Sequence, residues 1–344
     1  MEGYNKKVIM SYWTICRMKT TKKIYVKVSI IFLLGGILLF SSCEKEENQK
    51  IEANRKTLFM YLPWSSNLTN YFYNNISDLE KCITKIGLNN EKVIVFISTG
   101  STEAMMFEIV SSHGRCKREI LKKYKSPPFT TIDGITAILN DVKAFAPASV
   151  YTMIIGCHGM GWLPVYEMKV RSAPHMKMHW EYQGVPLTRY FGGLTAEYQT
   201  DIKSLASGIA NAGMKMEYIL FDDCYMSSIE VAYELKDVTK YLIGSTSEMM
   251  AYGMPYAAIG EYLLGNPDYQ SGCEEFYNFY STYEIMPCGT LAVTDCSELE
   301  NMAAIIKSIN SKYSFDKSLR GTIQRLDGYT PVIFYDFADY ITSL

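Results

Sequence analysis

What the 344 residues lack rules out several chemistries. No CxxC pair occurs, so a zinc ribbon or a thioredoxin-type site has no support. No GxSxG elbow, Walker loop or Rossmann fingerprint is present, and Gly156, Gly159 and Gly161 give only a partial glycine pattern with a histidine inside it. HExxH is missing too. His175 and His179 have i, i+4 spacing, but they follow Pro174 in a stretch without helical period or a nearby acidic ligand, which leaves a metal site incomplete. Positive charge is also scarce. The net charge is −2, and residues 1–42 hold seven Lys/Arg and one acidic residue, which leaves 27 basic against 35 acidic groups, a net of −8, in the remainder. So acidic a chain is a poor partner for nucleic acid, whose binding rests on neutralised phosphates, and a better one for a cationic substrate.

The basic N-terminal stretch has a separate meaning. Lys19, Lys22, Lys23 and Lys27 precede an apolar run at 28–40, broken by Ser29 and by Gly35-Gly36. Its 13 residues are too few to cross a bilayer as a helix and suit the core of a signal peptide. The run ends in Phe40-Ser41-Ser42-Cys43, which resembles a lipobox with Phe40 in the usual place of Leu. That resemblance implies lipidation of Cys43; the plainer reading is an ordinary cleaved signal with Cys43 incidental. Glu44-Lys45-Glu46-Glu47-Asn48 resembles the acidic tethers of some Gram-negative surface lipoproteins. The expected organisation is a signal peptide at 1–43, a tether at 44–55 and one domain at 56–344. The expected location is the cell envelope, at the outer membrane or cell surface, with the membrane held through the N-terminal lipid. Seven of the nine cysteines lie beyond Cys43, and an odd number in an exported chain leaves at least one thiol unpaired.

Hydrophobic residues at 48% and charged residues at 20% describe a globular chain. Apolar, β-branched runs at 56–62, 92–98, 104–110, 149–156, 216–221, 240–245 and 289–294 predict strands. Leu68, Phe72, Ile76, Leu79 and Ile83 mark one face of a helix over 67–86, and Ile135, Ile138, Leu139 and Val142 one over 131–145. Further helices are predicted at 201–211 and 227–235. The Gly-, Pro- and aromatic-rich stretch at 160–195 has no clear period, and loops of that length are often functional. Strands alternating with helices predict an α/β fold with a mostly parallel sheet covered on both faces. In open sheets of this kind ligands meet residues just past the carboxyl ends of strands. His158-Gly159 and Asp222-Asp223-Cys224 both occupy such places.

A thiol attacks a carbonyl well only as thiolate, so a cysteine nucleophile needs a base or cation nearby and some exposure. Cys224 ends a strand and precedes a helix, whose N-terminus favours negative charge. His158, with a free pKa near neutral, suits a general base and acid. Gly159 lacks a side chain, so its N–H can approach a substrate oxygen and form an oxyanion hole with the N–H of Cys224. Spacing alone leaves the bland reading open, because a cysteine near a strand end is commonly a small buried hydrophobe. Cys157, beside His158, points to the opposite face and is expected to pack into the core. His113, beside Gly114, is expected in a loop; Trp64, Trp162 and Trp180 suit a groove or a core equally; Cys273, Cys288 and Cys296 leave a disulfide open.

Two blocks narrow the choice. Ile154-Ile155-Gly156-Cys157-His158-Gly159-Met160-Gly161-Trp162 resembles the histidine segment of the clostripain family, cysteine peptidases of clan CD. Ile219-Leu220-Phe221-Asp222-Asp223-Cys224-Tyr225-Met226-Ser227-Ser228-Ile229-Glu230 resembles its cysteine segment. The resemblance implies a caspase-like α/β/α sandwich and an endopeptidase with a His158/Cys224 dyad that requires no third member. It implies cleavage of protein or peptide substrates after Arg or Lys, with Asp222 facing the cationic P1 side chain. No cofactor or metal is implied for the chemistry, although some relatives depend on calcium. Asp223 stands where a small residue is common; it adds negative charge or caps the following helix. Glu248 is the one acidic residue in the stretch 244–256, which resembles a loop lining the specificity pocket. Tyr335-Asp336-Phe337-Ala338-Asp339-Tyr340 resembles an internal helix of relatives, so the domain is expected to lack part of its C-terminal end. Some relatives cut themselves between the two segments, where Lys169, Arg171, Lys177, Arg189 and Lys203 offer sites. The rival from another class is a surface-binding lipoprotein that keeps the scaffold without activity.

Overall fold

Alternation along the central strands sends apolar side chains to both faces of a sheet. In β1 (Asn54–Leu62), Leu58, Met60 and Leu62 enter one core while Phe59 and Tyr61 enter another. β2 (Glu91–Gly100) divides Val93, Val95 and Ile97 from Ile94 and Phe96 in the same way. In β6 (Met216–Phe221), Tyr218 and Leu220 oppose Ile219 and Phe221. Strands buried on both sides belong to a parallel sheet between two helix layers. The computed structural model describes residues 54–163, 165, 192–285, 287–329 and 332–344.

The eight strands run in the order β4-β3-β2-β1-β5-β6-β7-β8. β2, β1, β5 (Ala148–Ile155), β6 and β7 (Thr239–Gly244) are mutually parallel. β3 (Glu103–Ser112), β4 (Arg115–Lys125) and β8 (Ala292–Asp295) add antiparallel edges. One layer holds α1 (Thr69–Ile86), α5 (Tyr256–Leu263) and α6 (Tyr269–Ser281), which supply Phe72, Ile76, Leu79, Ile259 and Phe276 to the first core. The other holds α2 (Ile132–Phe145), α3 (Ile202–Asn211) and α4 (Ile229–Leu235), with Ile138, Val142, Leu205, Ile209 and Leu235 in the second core. α7 (Leu299–Asn310) adds Leu299 there, and α8 (Phe337–Thr342) follows. This is the α/β/α sandwich that the sequence predicts.

Helix starts follow side-chain chemistry. Thr131 caps α2 by accepting the N–H of Gly134 at 3.1 Å, and Ser228 caps α4 from Val231 at 3.4 Å. β4 was not among the predicted strands, because RCKREILKKYK carries charge through its length and lacks a clean apolar face. Its charges are used outward: Arg118 pairs with Glu80 at 2.6 Å and Lys122 with Asp141 at 2.6 Å. A charged edge of this kind resists pairing with another chain. His113 (φ 50°) and Gly114 (φ 68°) turn β3 into β4, both left-handed as a two-residue hairpin requires. The C-terminal helix expected near 335–340 is α8, and β8 begins at Ala292 rather than at 289.

The winding changes direction at β1. From it the chain adds β2 on one side and β5, β6 and β7 on the other, which puts the point where the strand order reverses at the carboxyl ends of β1 and β5, the place where open sheets of this kind take up ligands. No helix of the described residues is long and apolar enough to cross a membrane. Cys43, the signal expected at 1–43, the tether expected at 44–55 apart from Asn54 and Arg55 (which open β1), His175, His179 and Trp180, and most of the aperiodic stretch lie outside the described residues.

Candidate active site

The ladder between β5 and its neighbours runs on past the strand ends. Gly156 donates its N–H to Tyr61 O at 3.1 Å, and Asp222 donates to Ile155 O at 2.8 Å. These bonds set the His158 and Cys224 segments side by side at one rim of the sheet. Asp223, fully buried, then ties them together: its carboxylate accepts the N–H of Cys157 at 2.6 Å and the Cys157 thiol at 3.6 Å. The helix predicted from 227 starts at Ile229, because residues 224–227 form a turn. Asp223 therefore clamps the histidine segment and does not cap a helix, and the N-terminus of α4 is not at the sulfur.

Gly159 lies against the cysteine backbone. A Cβ built on it would stand 2.4 Å from the Cys224 carbonyl oxygen and 2.8 Å from Asp223 Cβ, so only glycine permits this approach. Its N–H has no hydrogen-bond acceptor among the described residues. His158 is 1% exposed; its N–H donates to Gly192 O at 3.1 Å, and its Nε2 is 2.8 Å from Asn67 Oδ1. Asn67 was not anticipated as a site residue. It follows β1 by five residues, and only the sheet order shows that this loop borders β5.

The Cys224 thiol is buried completely, against the exposure expected of a free nucleophile. Its Sγ accepts the Met249 N–H at 3.1 Å and lies 3.6 Å from Met249 O. Tyr225 N–H donates to Ser247 O at 3.0 Å and Ser227 N–H to Ser245 O at 3.0 Å, so the loop after β7 runs alongside the cysteine turn. Tyr225 has φ 59°, a left-handed conformation that costs energy for a bulky residue and is held here by packing. Its ring stacks on Phe334 with centroids 4.5 Å apart and also meets Tyr329 at 5.9 Å. Tyr329 Oη reaches Met160 Sδ at 3.1 Å. Asp327 gathers this cover by accepting the N–H groups of Tyr329, Ile333 and Phe334.

Asp222 is 1% exposed and accepts the Met254 N–H at 2.8 Å and the Tyr256 hydroxyl at 3.0 Å. Glu248 stands on the same loop as Met254. Burial pushes its carboxyl up to about 7, with the Tyr225 hydroxyl opposing the shift and the Asp327 charge reinforcing it. Cys157 is buried in the second core, on the face opposite Cys224. Trp64 packs against that core, while Trp162 is 45% exposed. Lys203, on α3, is exposed; Lys169, Arg171, Lys177 and Arg189 lie outside the described residues. No disulfide links the seven cysteines of the described residues, Cys273, Cys288 and Cys296 included. Among the described residues no three His, Cys, Asp or Glu side chains converge as metal donors.

A family model described as the clostripain family matches residues 60–343. Among solved structures, iotapain, a secreted C11 cysteine protease from Bacteroides thetaiotaomicron, is 60% identical, with 85% of this chain and 80% of that chain covered and a TM-score of 0.78. An inactive zymogen C11 protease from Parabacteroides distasonis is 25% identical, with 84% and 77% covered and a TM-score of 0.69. A further secreted C11 cysteine protease from Bacteroides thetaiotaomicron, solved with an irreversible peptide inhibitor, is 21% identical over 84% and 78% with a TM-score of 0.67, a likeness of fold. Comparison with the curated proteins finds no match. With nearly the whole sandwich inside the family match and a 60% identical cysteine protease sharing its fold, the chain belongs to the clostripain family and is a cysteine-type peptidase.

Proposed function

We propose that the chain is an endopeptidase that cleaves after Arg or Lys through a His158/Cys224 dyad. The observation that carries this reading is the close packing of Gly159 on the Cys224 backbone under the Asp223 clamp. His158 takes the thiol proton as Cys224 Sγ bonds to the scissile carbonyl carbon. The N–H groups of Gly159 and Cys224 hold the oxyanion. Collapse breaks the C–N bond, His158 hands its proton to the leaving amine, and a thioester remains. Water then attacks with His158 as base, the C–S bond breaks, and the proton returns to sulfur. Neither cofactor nor metal takes part. Asp222, which accepts the Met254 N–H and the Tyr256 hydroxyl, is the counter-charge for the P1 cation, since a buried guanidinium or ammonium needs one.

The sealed thiol suits a precursor, opened by self-cleavage at one of Lys169, Arg171, Lys177, Arg189 or Lys203. Iotapain is described as secreted, which supports export of this chain as well. A signal at 1–43, lipid on Cys43 and a tether at 44–55 place the domain, 56–344, on the cell envelope. The test is turnover of fluorogenic Arg and Lys peptides beside neutral-P1 controls, with and without calcium. Cys224→Ala and His158→Ala each abolish turnover while the fold is kept. Asp222→Asn lowers kcat/KM for Arg far more than for a neutral P1 residue. Full activity in Cys224→Ala, or no turnover by folded wild type after the segment is cut, defeats the reading.

A further inference from the structure

The geometry assigns to Asn67 the role of a positioning residue that holds the His158 ring in one tautomer and one orientation. The inference rests on His158 acting with Cys224 as proposed above. Asn67 lies beyond β1 and His158 just beyond β5, and these neighbouring parallel strands flank the point where the winding reverses. The 2.8 Å contact between His158 Nε2 and Asn67 Oδ1 therefore bridges the switch point at which a sheet of this type receives its ligand. An amide oxygen accepts and never donates, so Nε2 carries the hydrogen. In the neutral ring Nδ1 is then the basic nitrogen, free of competition between tautomers for the proton of a thiol. A neutral amide fixes the ring without adding the negative charge that a carboxylate would bring.

Local structure argues against a plainer job for Asn67. An asparagine just ahead of a helix usually caps it. Here the N-cap of α1 is Leu68, whose side chain makes no capping bond, and Thr69 Oγ1 is buried with no hydrogen-bond partner among the described residues. The amide that would serve the helix is turned to the imidazole instead. The loop is built to present it: Ser65 and Leu68 are fully buried on either side, Asn67 N–H donates to Ser65 O at 2.9 Å, and Ser66 takes φ 70°. Left-handed backbone at a serine costs energy that packing must offset, a pattern found where a side chain has to be aimed.

The experiment compares Asn67→Ala and Asn67→Asp with wild type, His158→Ala and Cys224→Ala on one Arg peptide, separating kcat from KM between pH 5 and 9. Asn67→Ala should lower kcat roughly 10–100-fold or more with KM nearly unchanged, at least the loss seen when a group that orients a metal-ligating histidine is removed. Asn67→Asp, of the same size, should restore part of kcat and move the limb that titrates the imidazole to higher pH, because the new charge favours imidazolium. Nitrogen NMR of labelled histidine in Cys224→Ala should show the Nε2–H tautomer, and a mixture once Asn67→Ala is added. Wild-type kcat and pH profile in Asn67→Ala, beside inactive His158→Ala and Cys224→Ala, overturn the inference alone. A loss of kcat with tautomer and pH limb unmoved also overturns it, as a structural effect. Activity surviving in His158→Ala overturns the dyad and this inference together.

Discussion

At the scale of single residues, the rim of the sheet is held by groups that have no room to change. Gly159 tests this directly. Alanine there meets the Cys224 carbonyl oxygen at 2.4 Å, and neither that oxygen nor Asp223 Cβ is the movable end of a flexible chain. Gly159→Ala should cost about 1–3 kcal/mol, the range for overpacking a filled interior. It should also remove turnover, because the His158 segment must retreat from Cys224. Thermal melts and peptide assays on one preparation check both, and a stable, fully active variant contradicts the packing. Asp223 acts from the other side of the same contact. Its type was visible in the sequence as a departure from a small residue, but its partner, the N–H of Cys157, belongs to a different strand end.

Among elements, the loop after β7 and the stretch carrying Asp327, Tyr329 and Phe334 pack around the turn that carries Cys224. Phe334 covers Tyr225, and Gly161 (φ 59°) passes so close that a Cβ would lie 2.7 Å from the Phe334 ring. Phe334→Ala removes that cover. Alkylation of Cys224 by iodoacetamide, followed by mass spectrometry, should quicken by roughly tenfold or more, since each 1.4 kcal/mol off a local opening is a factor of ten. An unchanged rate would mean that the loop holding Met249 alone seals the sulfur. β4 teaches a different lesson at this scale. Its charge hid it from a reading of apolar periods, yet it pairs with β3 along ten residue pairs, because an edge strand needs only one satisfied side.

For the whole molecule, a half-buried carboxyl and a buried ammonium predict the shape of stability against pH. Burial raises the Glu248 carboxyl from 4.5 to about 7, so its contribution is present below 4.5 and lost as pH rises toward 7. Burial lowers the Lys56 ammonium from 10.5 to about 8, although its Nζ donates to Leu263 O at 2.6 Å and Gly265 O at 3.1 Å. Its contribution is full above 10.5 and lost as pH falls to 8. From these two groups stability is lowest between 7 and 8. Glu248→Gln, which mimics the protonated form, should gain on wild type by on the order of 3 kcal/mol between pH 4.5 and 7 and by no more above it. Denaturant unfolding across that range checks the difference, and a constant difference would show that Glu248 does not titrate in the fold.

The sequence by itself determined what depends on neighbours along the chain. Runs such as 216–221 are apolar on both faces and commit to central strands, the spacing of Leu68, Phe72, Ile76 and Leu79 commits α1, and two motif blocks set His158 and Cys224 at strand ends. Only the tertiary structure decided which ends meet. The order β1-β5-β6 brings Asn67 to His158 and Asp223 to Cys157, and a segment more than a hundred residues downstream closes over Tyr225, the neighbour of Cys224. Periodicity and turn chemistry act over a few residues. Strand order and the covering of a buried thiol depend on contacts between distant segments, and those exist only once the sheet has assembled.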